Sequence, residues 1–205
     1  MSFVLRAFSK GADGVFIGAC HLSECNYITH GNYHTLNMVL LLRKVLEQVG
    51  INPERLRMAF MSGSEANLFV EHVNDFVKKI KELGPLGSSE KIDEKTLNFR
   101  LESVTKLIPY IRLVERERLR APVMSEEEYY KFFAGDEMTK LFHETIVDKL
   151  AIGQIVSLLK GGPLTTAEIA KGIGLTPSEV SKHLNMSSRQ RLVRYDTEKN
   201  CYALA

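Results

Sequence analysis

Cysteine is scarce in this chain of 205 residues: there are three, and the odd number argues against a disulfide framework. No apolar run approaches the ~18 residues of a membrane helix. The start, MSFVLRAFSKGADG, lacks an apolar core of signal-peptide length followed by a small-residue cleavage site. A soluble, cytoplasmic protein with no membrane partner is therefore expected. Neither sign of charge dominates, with 27 Lys+Arg against 25 Asp+Glu, so the net charge of +2 points neither toward nor away from nucleic acid. There is no glycine-rich dinucleotide fingerprint, activated serine, paired-carboxylate site or phosphate-binding loop. What is present is ordinary globular material, 44% hydrophobic and 25% charged, long enough for one large or two small domains.

The first stretch alternates helix and strand. Phe3 to Lys10 is helical and stopped by Gly11, and Val15-Phe16-Ile17 is a short apolar run bounded by glycines, as a buried parallel strand would be. His34 to Val49 predicts a helix whose centre, Met38 to Leu42, is apolar all round and so covered on two faces. Arg57 to Met61 reads as a second strand. Ser64 is placed to cap a helix with Ala66, Phe69, Val70, Val73, Val77 and Ile80 at helical spacing, ending at Gly84-Pro85. Strand–helix–strand–helix is the pattern of an open parallel sheet. Two parallel strands make no stable sheet alone, so the sequence reads as beginning in the middle of a fold.

Gly84 to Ser89 has linker composition. Beyond it, Leu97, Leu101, Val104, Ile108 and Ile111 form a three–four stripe interrupted or kinked at Pro109, and Ser125 with Glu128 makes a capping box. The last residues spell a winged helix–turn–helix: a helix from Asp148 to Lys160, a second capped by Thr165 or Thr166, the turn Gly172-Ile173-Gly174, a third helix with Pro177 at its first position, and two strands around Asp196 to Asn200. The expected architecture is thus an α/β N-terminal half with a partial open parallel sheet (1–86), a helical middle (87–144) and a winged helix–turn–helix domain (145–205).

The chemistry concentrates in GADGVFIGACHLSECNYITHGN, residues 11 to 32. Cys20 falls at the carboxyl end of a strand and Cys25 in the following loop, the edge at which open α/β sheets bind ligands. A Cys-x4-Cys loop can wrap two thiolates around an iron–sulfur cluster, although a redox-sensitive thiol pair has the same spacing. A zinc site using Cys20, Cys25 and two of His21, His30 and His34 is a weaker reading, because the histidine spacing is irregular. Ser64-Glu65 after Gly63 reads as a helix cap with a first-turn acid in preference to a phosphate or flavin cradle. Cys201 reads as a small hydrophobe.

GADGV, GACH, the second cysteine, GN, then NPERLRMAFMSGSEANLF and a closing ELGP together resemble the iron–sulfur delta subunit of methyl-viologen-reducing hydrogenase, over about residues 3 to 86. The resemblance implies a [2Fe-2S] cluster with Cys20 and Cys25 as ligands. It also implies a non-catalytic subunit that relays electrons from a hydrogenase or formate dehydrogenase to a flavin-containing heterodisulfide-reductase-like subunit. Members of that family carry further cysteines on an N-terminal stretch absent from this sequence. Either a partner chain supplies the remaining ligands, the sequence is truncated, or the cluster has been lost; the first is expected, since a partner would also complete the domain.

A different class of function is a redox-sensing transcription regulator. Its reading helix would offer Ser178, Ser181, Lys182, Asn185, Ser188 and Arg189 to the major groove, with Arg191, Arg194 and Lys199 on phosphates. Residues 145 to 205 hold 8 Lys+Arg against 5 Asp+Glu, a mild excess for a dedicated DNA binder.

Overall fold

The computed structural model describes residues 1–22, 24–27, 31–122 and 125–205. The chain forms two compact units, Met1–Leu141 and Phe142–Ala205.

In the first unit, β1 (Val15–Ala19) pairs in parallel with β2 (Leu56–Phe60), in a register running from Val15↔Leu56 to Ala19↔Phe60. The second strand starts one residue earlier than its pattern suggests, which sends Leu56 and Met58 into the core and leaves Arg57 half-buried. Helix α1 (Ser2–Ser9) precedes β1, and α2 (Asn32–Gln48) connects the strands. Val39, Leu40, Leu41 and Leu42 of α2 are all buried, as an all-round apolar centre requires.

Helix α3 (Ala66–Leu83) departs from expectation twice. Its cap position is Glu65, and Ser64 instead bonds to Ser62. The helix also buries only Phe76, because it meets the sheet along that side, while Phe69, Val70 and Val77 stay exposed.

The linker-like stretch after α3 is tied down. Leu86 N–H donates to Asp13 Oδ1 at 2.7 Å, and Gly84, Pro85 and Ser89 are held by Arg55. Helix α4 (Glu94–Val114) then buries Leu97, Leu101, Val104, Ile108, Ile111 and Val114, continuing uninterrupted past Pro109 into a π-helical turn at Glu115–Leu119. Asn37 of α2 fixes that turn by donating to Glu115 Oε1 (2.9 Å) and accepting from the Ala121 N–H (3.0 Å). Helices α5 (Glu126–Ala134), opened by the Ser125–Glu128 capping box, and α6 (Asp136–Phe142) follow.

The second unit holds α7 (Asp148–Leu159), α8 (Thr166–Ile173), α9 (Pro177–Arg189) and an antiparallel pair, β3 (Val193–Asp196) with β4 (Cys201–Leu204). Thr165 and Thr176 each close a reciprocal capping box, with Glu168 and Glu179 respectively. Gly174 ends α8 in the left-handed conformation (φ 75°), which turns the chain sharply into α9 at little steric cost. Ile169, Ile173, Val180 and Leu184 fill the space between these helices. Among the described residues, no helix is long and apolar enough to cross a membrane.

One buried ion pair organises the first unit. The Arg55 side chain is fully buried and its Nε lies 2.6 Å from Glu90 Oε1. Its two terminal nitrogens donate to the carbonyls of Asp13 and Gly84 (2.9 Å each) and Pro85 (3.1 Å), and to Ser89 Oγ (3.1 Å). Burial pushes the Glu90 pKa up, but the Arg55 guanidinium, the Asn52 N–H and the Ser89 hydroxyl outweigh it and hold the carboxyl at about 2. Removing one partner of such a pair leaves a buried charge unmatched, so Arg55→Met should destabilise the unit by about 3–5 kcal/mol, seen as a lower urea midpoint at neutral pH. A carboxyl with a depressed folded pKa contributes its stability above the unfolded value of 4.5 and loses it as pH falls toward about 2. The urea midpoint should therefore drop across that window, and Glu90→Gln should flatten the drop. A wild-type midpoint that does not move there would contradict this account.

Candidate functional site

Cys20 follows β1 directly, and the chain leaving β2 runs beside it, since Met61 N–H donates to Ala19 O at 2.8 Å. The loops after the two strands thus open a crevice at the carboxyl edge of the sheet. Cys20 and Cys25, both half-buried free thiols, lie there close enough to shift each other's ionisation.

Their surroundings differ. Burial, then the neighbouring Cys25, pushes the Cys20 thiol above its ordinary pKa. Main-chain N–H groups of Tyr27 and Asn32 point at the Cys25 sulfur and pull its pKa down. Amide donors and a helix N-terminus favour a thiolate in the way that metal ligation requires.

Asn32, at the first position of α2, is 3% exposed. Its Nδ2 donates to the carbonyls of Cys20 (3.0 Å) and His21 (2.5 Å) and lies 3.8 Å from Cys20 Sγ, while its Oδ1 accepts from the Tyr33 N–H at 2.8 Å. Gly31 sits against Cys25 so closely that a β-carbon would collide with Cys25 Sγ and the Tyr27 carbonyl. The sequence marked Gly31-Asn32 only as part of a family-like pattern. Its usable signal was position, since the pair opens the helix that follows the second cysteine.

Across the crevice, His21 Nε2 lies 2.7 Å from Glu65 Oε2, which also accepts the Ser62 N–H at 2.6 Å. The bond to Glu65 raises the His21 pKa, and the Ser62 amide, then His21, lower that of Glu65. Glu65 is therefore a latch between the two loops, which the reading of Ser64-Glu65 as a plain helix cap missed.

The zinc reading finds no support here. His21 is engaged with Glu65, His34 Nδ1 lies 3.7 Å from Glu115, and His30 lies outside the described residues. Among the described residues, no three His, Cys, Asp or Glu side chains gather around one point. A [2Fe-2S] cluster usually takes four thiolates, and the residues present fit two of them: two adjoining sulfurs, one already receiving amide donors. A cleft of about 700 Å³ follows β2 as far as His21, but its lining carries both charge signs, among them Arg57, Lys78, Glu54 and Glu126, and selects no charged ligand.

In the second unit, Ser178, Ser181, Lys182, Asn185, Ser188 and Arg189 are all at least partly exposed on α9, and Arg191, Arg194 and Lys199 are exposed beyond it. Lys182 Nζ lies 3.5 Å from Asp148, which partly neutralises it, and Ser181 Oγ donates back to the Pro177 carbonyl. Cys201 is buried in β4, far in sequence from the thiol pair.

Residues 1–84 match the family of the methyl-viologen-reducing hydrogenase delta subunit, and residues 154–195 match the arsR family of bacterial regulatory proteins. The chain therefore carries a domain of the hydrogenase delta family at its N-terminal end and an ArsR-type helix–turn–helix at its C-terminal end. Its relatives include an iron–sulfur subunit of F420-non-reducing hydrogenase from Archaeoglobus profundus, 46% identical over 83 residues, or 40% of this chain and 60% of the relative. Another such subunit, from Methanococcus voltae, is 45% identical over 96 residues, covering 45% and 66% of the two chains. A subunit of the ferredoxin/F420H2-dependent CoB-CoM heterodisulfide reductase of Methanosarcina acetivorans is 42% identical over 89 residues, 43% of this chain but 11% of the relative. The chain thus spans a small fraction of the reductase subunit and under two thirds of the hydrogenase subunits.

The unequal environments of the two thiols predict their order of reaction. In the iron-free protein at about pH 8, limiting iodoacetamide should modify Cys25 before Cys20, followed by peptide mass spectrometry. Preferential labelling of Cys20 would show that the amide donors do not reach Cys25 in solution.

Proposed function

We propose that this chain is a non-catalytic electron-transfer subunit of a cytoplasmic oxidoreductase complex, with Cys20 and Cys25 holding a [2Fe-2S] cluster whose remaining ligands come from a partner chain. The carrying observation is the pair of adjoining thiols at the carboxyl edge of a parallel sheet, within a domain of the hydrogenase delta family. Relatives named as hydrogenase iron–sulfur subunits and heterodisulfide reductase subunits support the route. Electrons pass from a hydrogenase or formate dehydrogenase module toward a flavin-containing heterodisulfide-reductase-like subunit. Such a cluster takes up and releases single electrons. The chain's own residues hold the sulfurs: the Tyr27 and Asn32 amides face Cys25, and the Asn32 side chain holds the backbone at Cys20.

The open surface supports a partner that completes the unit. Phe3 is 86% exposed, and Phe69, Val70 and Val77 of α3 are 49%, 54% and 42% exposed. Covering a large apolar side chain contributes about 1.5–3 kcal/mol, so four left in water are a substantial driving force for association.

Cys20→Ser and Cys25→Ser should each abolish the [2Fe-2S] paramagnetic resonance signal of the anaerobically purified native complex. Full iron occupancy in both variants would sink the ligand assignment. Expressed alone, the chain should self-associate or lack iron, and co-expression with its neighbour should restore both monodispersity and iron. A monomer with a complete cluster would show that no partner ligands are needed.

The exposed polar face of α9, on an ArsR-type helix–turn–helix, favours a second reading as a redox-sensing transcription regulator. Under the electron-transfer reading the second unit is a docking module, and Lys182→Ala with Arg189→Ala leaves weak, nonspecific DNA affinity unchanged. Tight, sequence-selective binding at physiological salt that the double variant loses would establish the regulator instead.

A further inference from the structure

We infer that Asn32 is the positioning residue of the thiol pair, holding Cys20 through its side chain and Cys25 through its main chain, with Gly31 making that double contact possible. Four observations converge on this role. Asn32 is buried at the start of α2, so the helix fixes its backbone. Its amide nitrogen bridges two successive carbonyls, those of Cys20 and His21, which pins the chain where it leaves β1. Cys25 Sγ packs against the backbone immediately before Asn32, within reach of the main-chain N–H of Asn32, which lowers that thiol's pKa. Any side chain at residue 31 would occupy the space now filled by that sulfur and the Tyr27 carbonyl. Without the Asn32 side chain the loop at Cys20 loses the two hydrogen bonds that its Nδ2 donates, and the distance between the sulfurs is no longer set by the helix.

The inference rests on the ligand reading above only for its iron arm, and the test separates the two. Dibromobimane becomes fluorescent once it bridges two neighbouring thiols, so its rate on the whole iron-free chain reads the geometry of the pair directly. Asn32→Asp keeps the shape and the acceptor for the Tyr33 N–H but faces two carbonyls with oxygen. Asn32→Ala removes the side-chain amide altogether and leaves only the main-chain N–H. Both should slow bridging by at least about tenfold, the lower end of what losing an orienting group behind a ligand costs. Gly31→Ala should do the same by displacing Cys25. Asn37→Ala is the matched control, removing a buried asparagine of the same helix that bonds Glu115 and Ala121 instead of the cysteine loop, and should leave the rate within about twofold. In the native complex, the Asn32 variants should lower iron retention by about 10–100-fold and shift the reduction potential of whatever cluster remains. Unchanged bridging in both Asn32 variants, or an equal loss in Asn37→Ala, overturns the inference. Asn32-dependent bridging in a protein whose native complex holds no iron at Cys20 and Cys25 would support it while refuting the ligand assignment.

Discussion

A guanidinium with no exposed surface must find acceptors for its five donors inside the protein, and the first unit is arranged around that requirement. Arg55 draws together three stretches distant in sequence: the turn before β1 through Asp13, the end of α3 through Gly84 and Pro85, and the Ser89-Glu90 turn. Because Arg55 immediately precedes β2, satisfying it seats that strand beside β1 and fixes the base of the sheet. Glu90 completes the arrangement, accepting also from the Asn52 and Gly87 amides at 3.1 Å each. A neutral substitute would leave carbonyls and a carboxylate without partners in a low dielectric, where unpaired groups are most costly.

The opposite end of the same two strands carries the chemistry. A parallel pair sends both outgoing loops to one edge, so Cys20 after β1 and Ser62–Glu65 after β2 become neighbours although more than forty residues separate them. The His21–Glu65 contact latches the loops, and the start of α2 supplies donors from the third side. Donors already directed at sulfur would lower the reorganisation that taking up a charged cluster demands, and would bias the potential of such a cluster.

The second unit stabilises itself by different means. Reciprocal capping boxes satisfy the exposed N-terminal amides of α8 and α9, and Gly174 lets the two helices meet at a short turn. With these helix starts satisfied locally, the exposed face of α9 is free to remain polar.

Local chemistry was legible from residues alone. Thr165, Thr176 and Ser125 announced their caps, Gly174 its turn, and the stripe from Leu97 to Ile111 its buried face, because each depends on neighbours within a few positions. The placing of Cys20 at a strand end was legible for the same reason. The buried side of α3 was not, since helical spacing shows that an apolar face exists but not which part of it the sheet covers. Nor could the sequence distinguish Arg55 from Arg57, both flanking Leu56, or Asn32 from any other asparagine, or Ser64 from Glu65 as the residue that matters. Each of those decisions depends on groups brought together from distant parts of the chain. By itself the sequence determined most helix and strand segments and the caps at Ser125, Thr165 and Thr176. Only the tertiary structure decided which arginine is buried, which asparagine anchors the thiols and which apolar faces remain open, because burial and long-range hydrogen bonding are properties of the packed chain.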